Sequence, residues 1–313
     1  GMAQHDRPGG ETDRSIRPVD ARFAIVGANR SVLHAASWLI EAGAAVSGAE
    51  SIRTAAKAEQ TPLAVLVAGD AVDLNLADAI GVPVIVLWDF EVGQPGVGAF
   101  ASAVSGVSSV IGAHDGAPGI LPAHVPEQWT GIFGANLALG LILRRSDPTA
   151  ERPARIDVSA ADVLRSFAEQ NSGNHAGVPY GWRRNGLTAV EHGGVFPQGF
   201  FRCLDGHIAV QARSRQDWAA ILNALGNPRW SQEKDMQNPF RLSEDDSRIL
   251  PLFQAELDKR SMHELLDAAI ATGAPMAPVL TPSEAATWDV FRPGFADPEG
   301  RLNLPFVVKS ARD

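Results

Sequence analysis

The N-terminal third of the chain contains runs that are apolar at every position rather than at every second one. They are Phe23-Ala24-Ile25-Val26, Pro62-Leu63-Ala64-Val65-Leu66-Val67-Ala68 and Val82-Pro83-Val84-Ile85-Val86-Leu87-Trp88, with a shorter run beginning at Ala45-Val46. A strand with no polar face has no side to offer water, so it belongs inside a parallel sheet covered on both faces. The segments between these runs carry helical patterns. Val32, Ala35, Ala36 and Leu39 recur at helical spacing across 31–42, Gly43 stops that helix, and 70–80 has a similar pattern. Alternation of such strands with helices predicts an α/β fold with a Rossmann-like, doubly wound parallel sheet.

Further along, the texture changes. Residues 96–112 are rich in small side chains and 118–126 form a Pro-rich loop. A long helix is expected over 127–145. Its apolar residues, Trp129, Phe133, Leu137 and Leu141 among them, cover most of its circumference, which predicts burial. Arg144 and Arg145 suit the negative end of its dipole. Ile156-Asp157-Val158-Ser159 reads as a strand feeding a helix that runs to Gln170, and the polar, Gly-containing stretch 171–185 reads as a linker. After it, residues 199–203 and 207–211 flank Leu204-Asp205-Gly206 as a hairpin with an Asp-Gly turn. Helices at 215–225, 247–257 and 262–272 and a strand at 277–280 complete a smaller α+β unit. The expected organisation is a disordered tail at 1–21, a large Rossmann-like domain from 22–184 and 286–313, and a small α+β domain at 185–285.

Composition narrows the function classes. The net charge of −9 disfavours nucleic acid and anionic membrane surfaces as partners. No apolar run reaches the roughly 18–20 residues that a spanning helix requires. The single cysteine, Cys203, excludes an internal disulfide framework and suits a reducing cytoplasm. The eight histidines form no pair at ligand spacing, so no metal is expected. Gly27-Ala28-Asn29-Arg30-Ser31 is neither a dinucleotide fingerprint nor a phosphate loop. No Gly-x-Ser-x-Gly elbow occurs, and Asp157-Val158-Ser159 alone makes no triad. From the residues themselves the reading ends at a soluble α/β protein with a carboxylate, Glu127, at a helix start.

Four blocks in order carry a resemblance. Pro126-Glu127-Gln128-Trp129-Thr130-Gly131 with Ala138-Leu139 and Leu143-Arg144-Arg145, then Ile156-Asp157-Val158-Ser159 with Asp162, resemble the central block of class III coenzyme A transferases. The run 199–210 resembles that family's small-domain hairpin, Leu225-Gly226-Asn227-Pro228 and 273–279 follow in the family's order, and 39–46 resembles its first helix-to-strand unit. The resemblance implies transfer of coenzyme A from an acyl-CoA to a carboxylic acid by an interlocked homodimer. Coenzyme A then enters as a thioester substrate, with no permanently bound cofactor.

In the family a carboxylate four residues before a glycine attacks the thioester, and here that position is Glu127, ahead of Gly131. Glutamate stands where the family carries aspartate. An acidic residue in a first helical turn also has an ordinary stabilising role, worth about 0.3–1 kcal/mol. Between the second and third strands the family places a basic nucleotide-holding segment. Only 51–61 remains here, with Arg53 and Lys57 as its cations, and Arg30 lies at the first helix. Arg30 and Arg53 are therefore the candidate CoA ligands. His192, Gly193 and Gly194 fall where some transferases carry a Gly-rich loop over the site, although loop glycines need no such role. Related racemases use a His-Asp pair where this chain has Val97 and Gly98, which leaves racemisation without its base. The alternative to a transferase is a non-catalytic member that serves as a CoA-binding or structural partner subunit.

Overall fold

The computed structural model of the chain describes residues 21–71, 81–112, 115–122, 124–145, 153–171 and 194–287. All of the expected tail at 1–21 but Ala21, most of the helix read at 70–80, all of the linker at 171–185 but Asn171, His192, Gly193 and all of the return segment at 286–313 but its first two residues lie outside the described residues. Two compact units are present. Among the described residues the first comprises 21–107 and 120–168, and the second 108–119 and 169–287.

The described elements run β1 (Arg22–Val26), α1 (Arg30–Glu41), β2 (Ala45–Ala49), α2 (Ile52–Ala56), β3 (Ala64–Ala68), β4 (Val84–Trp88), α3 (Gly98–Val104), α4 (Val107–Val110), α5 (Val125–Arg145), β5 (Arg155–Ser159) and α6 (Ala160–Asn171). Strands β1 to β5 form one sheet in the order β2-β1-β3-β4-β5, and every pairing in it is parallel. This is the fold class expected from the apolar strands.

The reason those strands are apolar throughout is visible in β3 and β4. All five residues of each are buried. In β3, Ala64, Leu66 and Ala68 face one layer while Val65 and Val67 face the other; in β4, Ile85 and Leu87 face the first layer and Val84, Val86 and Trp88 the second. The period-two alternation of a strand thus distributes side chains between two cores instead of between core and water. Val32, Ala35 and Leu39 of α1 and Ala135, Ala138 and Leu141 of α5 close the first layer; Ile52 and Ala55 of α2 belong to the second.

The edge strand β5 is tied to β4 through side chains. Asp157 accepts from Trp88 Nε1 at 2.9 Å and takes a forked pair of 2.8 Å bonds from Arg155. Ser159 is fully buried, and its Oγ accepts from the Asp162 N–H at 3.1 Å, capping α6. The Asp157, Ser159 and Asp162 pattern is therefore accounted for by strand pairing and helix capping.

The second unit contains β6 (Gln198–Cys203), β7 (Gly206–Gln211), α7 (Arg215–Ala224), α8 (Pro239–Leu242), α9 (Ile249–Leu257), α10 (Met262–Thr272), β8 (Met276–Pro278) and α11 (Pro282–Thr287). Its sheet is antiparallel in the order β6-β7-β8. Phe253 of α9 is fully buried and meets the rings of Phe196, Phe201 and Trp218 at 5.1–5.9 Å between centroids. The hairpin turn differs in detail from the expected Asp-Gly turn. Leu204 and Asp205 make it, while Gly206 is the first residue of β7, paired with Cys203. Gly206 packs closely on the flexible thioether of Met262, whose sulfur would lie 2.9 Å from a Cβ at 206. Asp205 in turn accepts from the Met262 N–H at 2.8 Å, which fixes the turn against α10.

Candidate functional site

Helix α5 begins at Val125, two residues before the expected start, directly after His124, whose φ is +72°. Pro126 sits in its first turn, where a missing N–H costs nothing, and its carbonyl accepts from the buried Thr130 Oγ1 at 2.8 Å. Next comes Glu127, only 3% exposed. Its Oε1 accepts from the Gly98 N–H at 2.8 Å. Its Oε2 is buried and has no hydrogen-bond partner among the described residues. Buried carboxylate oxygens are normally satisfied, so an orphaned one marks a place where strain or chemistry is stored. The approach depends on residue 98 being glycine: a Cβ there would lie 2.2 Å from Oε2 and 2.6 Å from Cδ.

One turn further along α5 is Gly131, where α5 and α1 come into backbone contact. A Cβ at 131 would meet the Cβ of His34 at 2.7 Å and the Ser31 carbonyl at 2.8 Å. This crossing brings His34 into the electrostatic neighbourhood of Glu127, and Arg30, one turn earlier on α1, also acts on His34. Burial holds the imidazole of His34 below the usual histidine range. The positive charges of Arg30 and His124 act in the same direction, and the carboxylates of Glu127 and Asp89 oppose them. At neutral pH His34 is accordingly an uncharged imidazole.

The start of α1 is occupied by the chain itself. Asn29 caps it by accepting from the Val32 N–H at 3.0 Å and donates through Nδ2 to the Leu87 carbonyl at 2.7 Å. Asp89, just beyond β4, accepts from the Arg30 N–H at 3.2 Å, the Ser31 N–H at 3.1 Å and the Ser31 hydroxyl at 2.6 Å. First-turn amides are where a Rossmann-like fold would bind phosphate; here a carboxylate fills the position.

Two cavities open at the carboxyl ends of the strands, the region where open α/β sheets bind ligands. One, of about 320 Å³, is lined by Asn29, Asp70, Trp88, Asp89 and Gln94 among others. The other, of about 440 Å³, shares Asn29 and Asp70 and adds Glu50 and Ser51. No Lys, Arg or His occurs among the described lining residues of either.

Of the residues singled out in the sequence, Glu127 and Arg30 each act electrostatically on His34. Arg53 lies in α2, whose cap is Ser51, and is exposed. Gly194 belongs to the second unit; its φ is +75°, and its carbonyl accepts from the Ser243 hydroxyl at 2.6 Å. Gly98, Asp89 and His34 were not selected from the sequence as site residues. Asp89 did carry a signal, because a polar residue immediately after a fully apolar parallel strand sits at the sheet's ligand edge. Gly98 had none of its own, since its role depends on a carboxylate 29 positions away.

The model of CoA-transferase family III matches residues 91–294. No curated protein matches the chain. Among solved structures, a CAIB/BAIF family protein from Brucella suis aligns with a TM-score of 0.74 at 15% identity, over 94% of this chain and 93% of that one. A hypothetical protein of Mycobacterium tuberculosis aligns with a TM-score of 0.66 at 16% identity, over 88% and 87% of the two chains. At these identities the likeness is one of fold.

Proposed function

The chain belongs to CoA-transferase family III, and on that footing we propose that it moves coenzyme A from an acyl-CoA thioester to a carboxylic acid, with Glu127 as the carboxylate that carries the groups between them. The observation supporting Glu127 is the buried Oε2, without a hydrogen-bond partner among the described residues, beside an Oε1 held at 2.8 Å by the Gly98 N–H. One oxygen is fixed and the other has its lone pairs unengaged, as an attacking carboxylate requires. Covalent catalysis then divides the transfer into easier steps.

Oε2 attacks the thioester carbonyl, and CoA leaves as thiolate to give a mixed anhydride. The thiolate attacks Cδ of Glu127, and the donor acid leaves as carboxylate, taking Oε2 with it. The acceptor carboxylate attacks the resulting glutamyl thioester and expels the thiolate, forming a second anhydride. The thiolate finally attacks the acceptor acyl carbon, which releases the new acyl-CoA and restores the Glu127 carboxylate. No net proton is transferred, so an uncharged His34 suits the site better than a cation that would pair with the nucleophile.

Arg30 and Arg53 are the proposed partners of the CoA phosphates, and His192, Gly193 and Gly194 are further proposed CoA- or substrate-binding residues. The proposed acting unit is a homodimer in the cytoplasm.

A second reading has its own observation. Glu127 is 97% removed from solvent, since only 3% of it is exposed, and it already serves a structural purpose in accepting from Gly98. On that reading the chain is a non-catalytic partner subunit. Intact-mass spectrometry after incubation with a panel of acyl-CoA donors separates the two. The transferase gains the mass of CoA at Glu127, and Glu127→Gln does not; an unmodified wild-type mass across the panel favours the structural subunit.

A further inference from the structure

The Gly98 N–H lies on the reacting group itself. It is 2.8 Å from Oε1 of Glu127, the oxygen that is not the free one. We propose that Gly98 is a catalytic residue whose backbone N–H stabilises the negative charge that forms on Oε1 when Cδ of Glu127 becomes tetrahedral. The inference rests on the reading of Glu127 as the acyl acceptor.

The four-step transfer passes through four tetrahedral centres, and they are not equivalent. The first and last are on the acyl carbons of donor and acceptor. The second and third are on Cδ of Glu127. The second arises when thiolate adds to the first anhydride and donor carboxylate then departs; the third arises when acceptor carboxylate adds to the thioester and thiolate then departs. In both, the electron pair of the Cδ=Oε1 bond moves onto Oε1 and returns as the leaving group is expelled. A donor already 2.8 Å from that oxygen needs no rearrangement to meet the developing charge. Oε2 cannot play this part, because it leaves with the donor acid. The N–H therefore acts on the two middle steps and leaves the outer two alone.

The geometry also explains the residue type. A side chain at 98 would enter the space of Oε2, since its Cβ would lie 2.2 Å away. Only glycine supplies the N–H and leaves the attacking oxygen in place.

The backbone here permits a clean deletion of the donor. Val97 has φ −135° and ψ 163°, the extended conformation preferred before proline, and residue 98 opens α3, where proline is tolerated. Gly98→Pro and Gly98→Ala both add a Cβ, but only the proline lacks the N–H, so the difference between them isolates it. With acetyl-CoA and acetate, and again with succinyl-CoA and succinate, Gly98→Pro is expected to transfer about 10²–10³-fold more slowly than Gly98→Ala. Rapid acid quench and intact-mass analysis should show the adduct on Glu127 shifted from CoA mass towards acyl mass in the proline variant, because the anhydride is now consumed slowly. Equal measurable rates in the two variants, or an unchanged ratio of acyl to CoA adduct, would overturn the role of Gly98 while leaving Glu127 as nucleophile. No adduct on the wild type with either pair would overturn the underlying reading and this inference with it.

If the proline variant does not fold, or if the added Cβ silences both variants by displacing Oε2, the wild type decides alone. The Gly98 amide proton, observed by NMR with glycine-selective labelling, should keep its hydrogen-bonded shift when the glutamyl thioester forms. A move to the range of a free amide on thioester formation overturns the proposal.

Discussion

Replacing Glu127 by glutamine separates stability from chemistry. The wild-type carboxylate has one oxygen bonded to Gly98 and one buried without a partner among the described residues. Glutamine keeps an acceptor for Gly98, but the bond passes from charge-assisted, about 1.5–3 kcal/mol, to neutral, about 0.5–1.5 kcal/mol, a loss near 1 kcal/mol. In exchange the substitution replaces an orphaned ionised oxygen by an amide NH2 that is buried in the same place; the neutral orphan costs about 1–3 kcal/mol and the charged one more. The balance is a variant as stable as the wild type, or more stable by about 1 kcal/mol, that forms no covalent adduct. Such a gain on removing a functional group is the usual signature of a site held at the expense of stability. The assay is urea unfolding of wild type and variant side by side, with adduct formation measured on the same preparations. A loss of more than about 2 kcal/mol would refute the reasoning, because it would mean that the ionised carboxylate is a structural cap whose two oxygens are both engaged.

Three further outcomes are expected. Burial depresses the pKa of His34 in the folded state, so the unfolded chain binds the proton more readily and folding stability falls as pH drops from about 7 towards 5; His34→Gln should flatten that decline in a pH series of denaturation curves, and an unchanged slope would contradict the environment described. Gly131→Ala places a Cβ 2.8 Å from the Ser31 carbonyl, a backbone atom that cannot step aside, and should cost about 1–3 kcal/mol of stability by thermal or chemical denaturation. The cavities at the strand ends carry carboxylates and no described cation, so CoA affinity should be weak, near millimolar or about −4 kcal/mol, by calorimetry; a low-micromolar constant would show that other residues hold the nucleotide.

The parallel sheet was legible because its strands are buried on both faces, a condition that leaves Val65, Leu66 and Val67 all apolar in a row. Helix α10 was legible to its ends because its signals are local: Ser261 and Glu264 form a capping box, and Gly273 closes it at φ +71°. Glu127 was legible as an acidic residue in a first turn, but the state of its two oxygens was not. That state depends on Gly98, and the seat of α5 depends on Gly131 against Ser31, contacts that unite segments far apart in sequence. The occupation of the α1 start by Asp89 was hidden for the same reason, being 58 and 59 positions removed from its partners.

The packing of α5 has a consequence for how the chain is made. The layer that contains Leu66, Ile85 and Leu87 is completed by Ala135, Ala138 and Leu141, which leave the ribosome well after β4. Until then α1 is the one described helix that covers that side, and the close crossing at Gly131 has no second helix to form it. Pairing of β5 with β4 comes later still. The described part of the first unit is thus completed only when about half the chain has been made, with a strip of aliphatic sheet exposed between the emergence of β4 and that of α5, the circumstance in which nascent chains aggregate or engage chaperones.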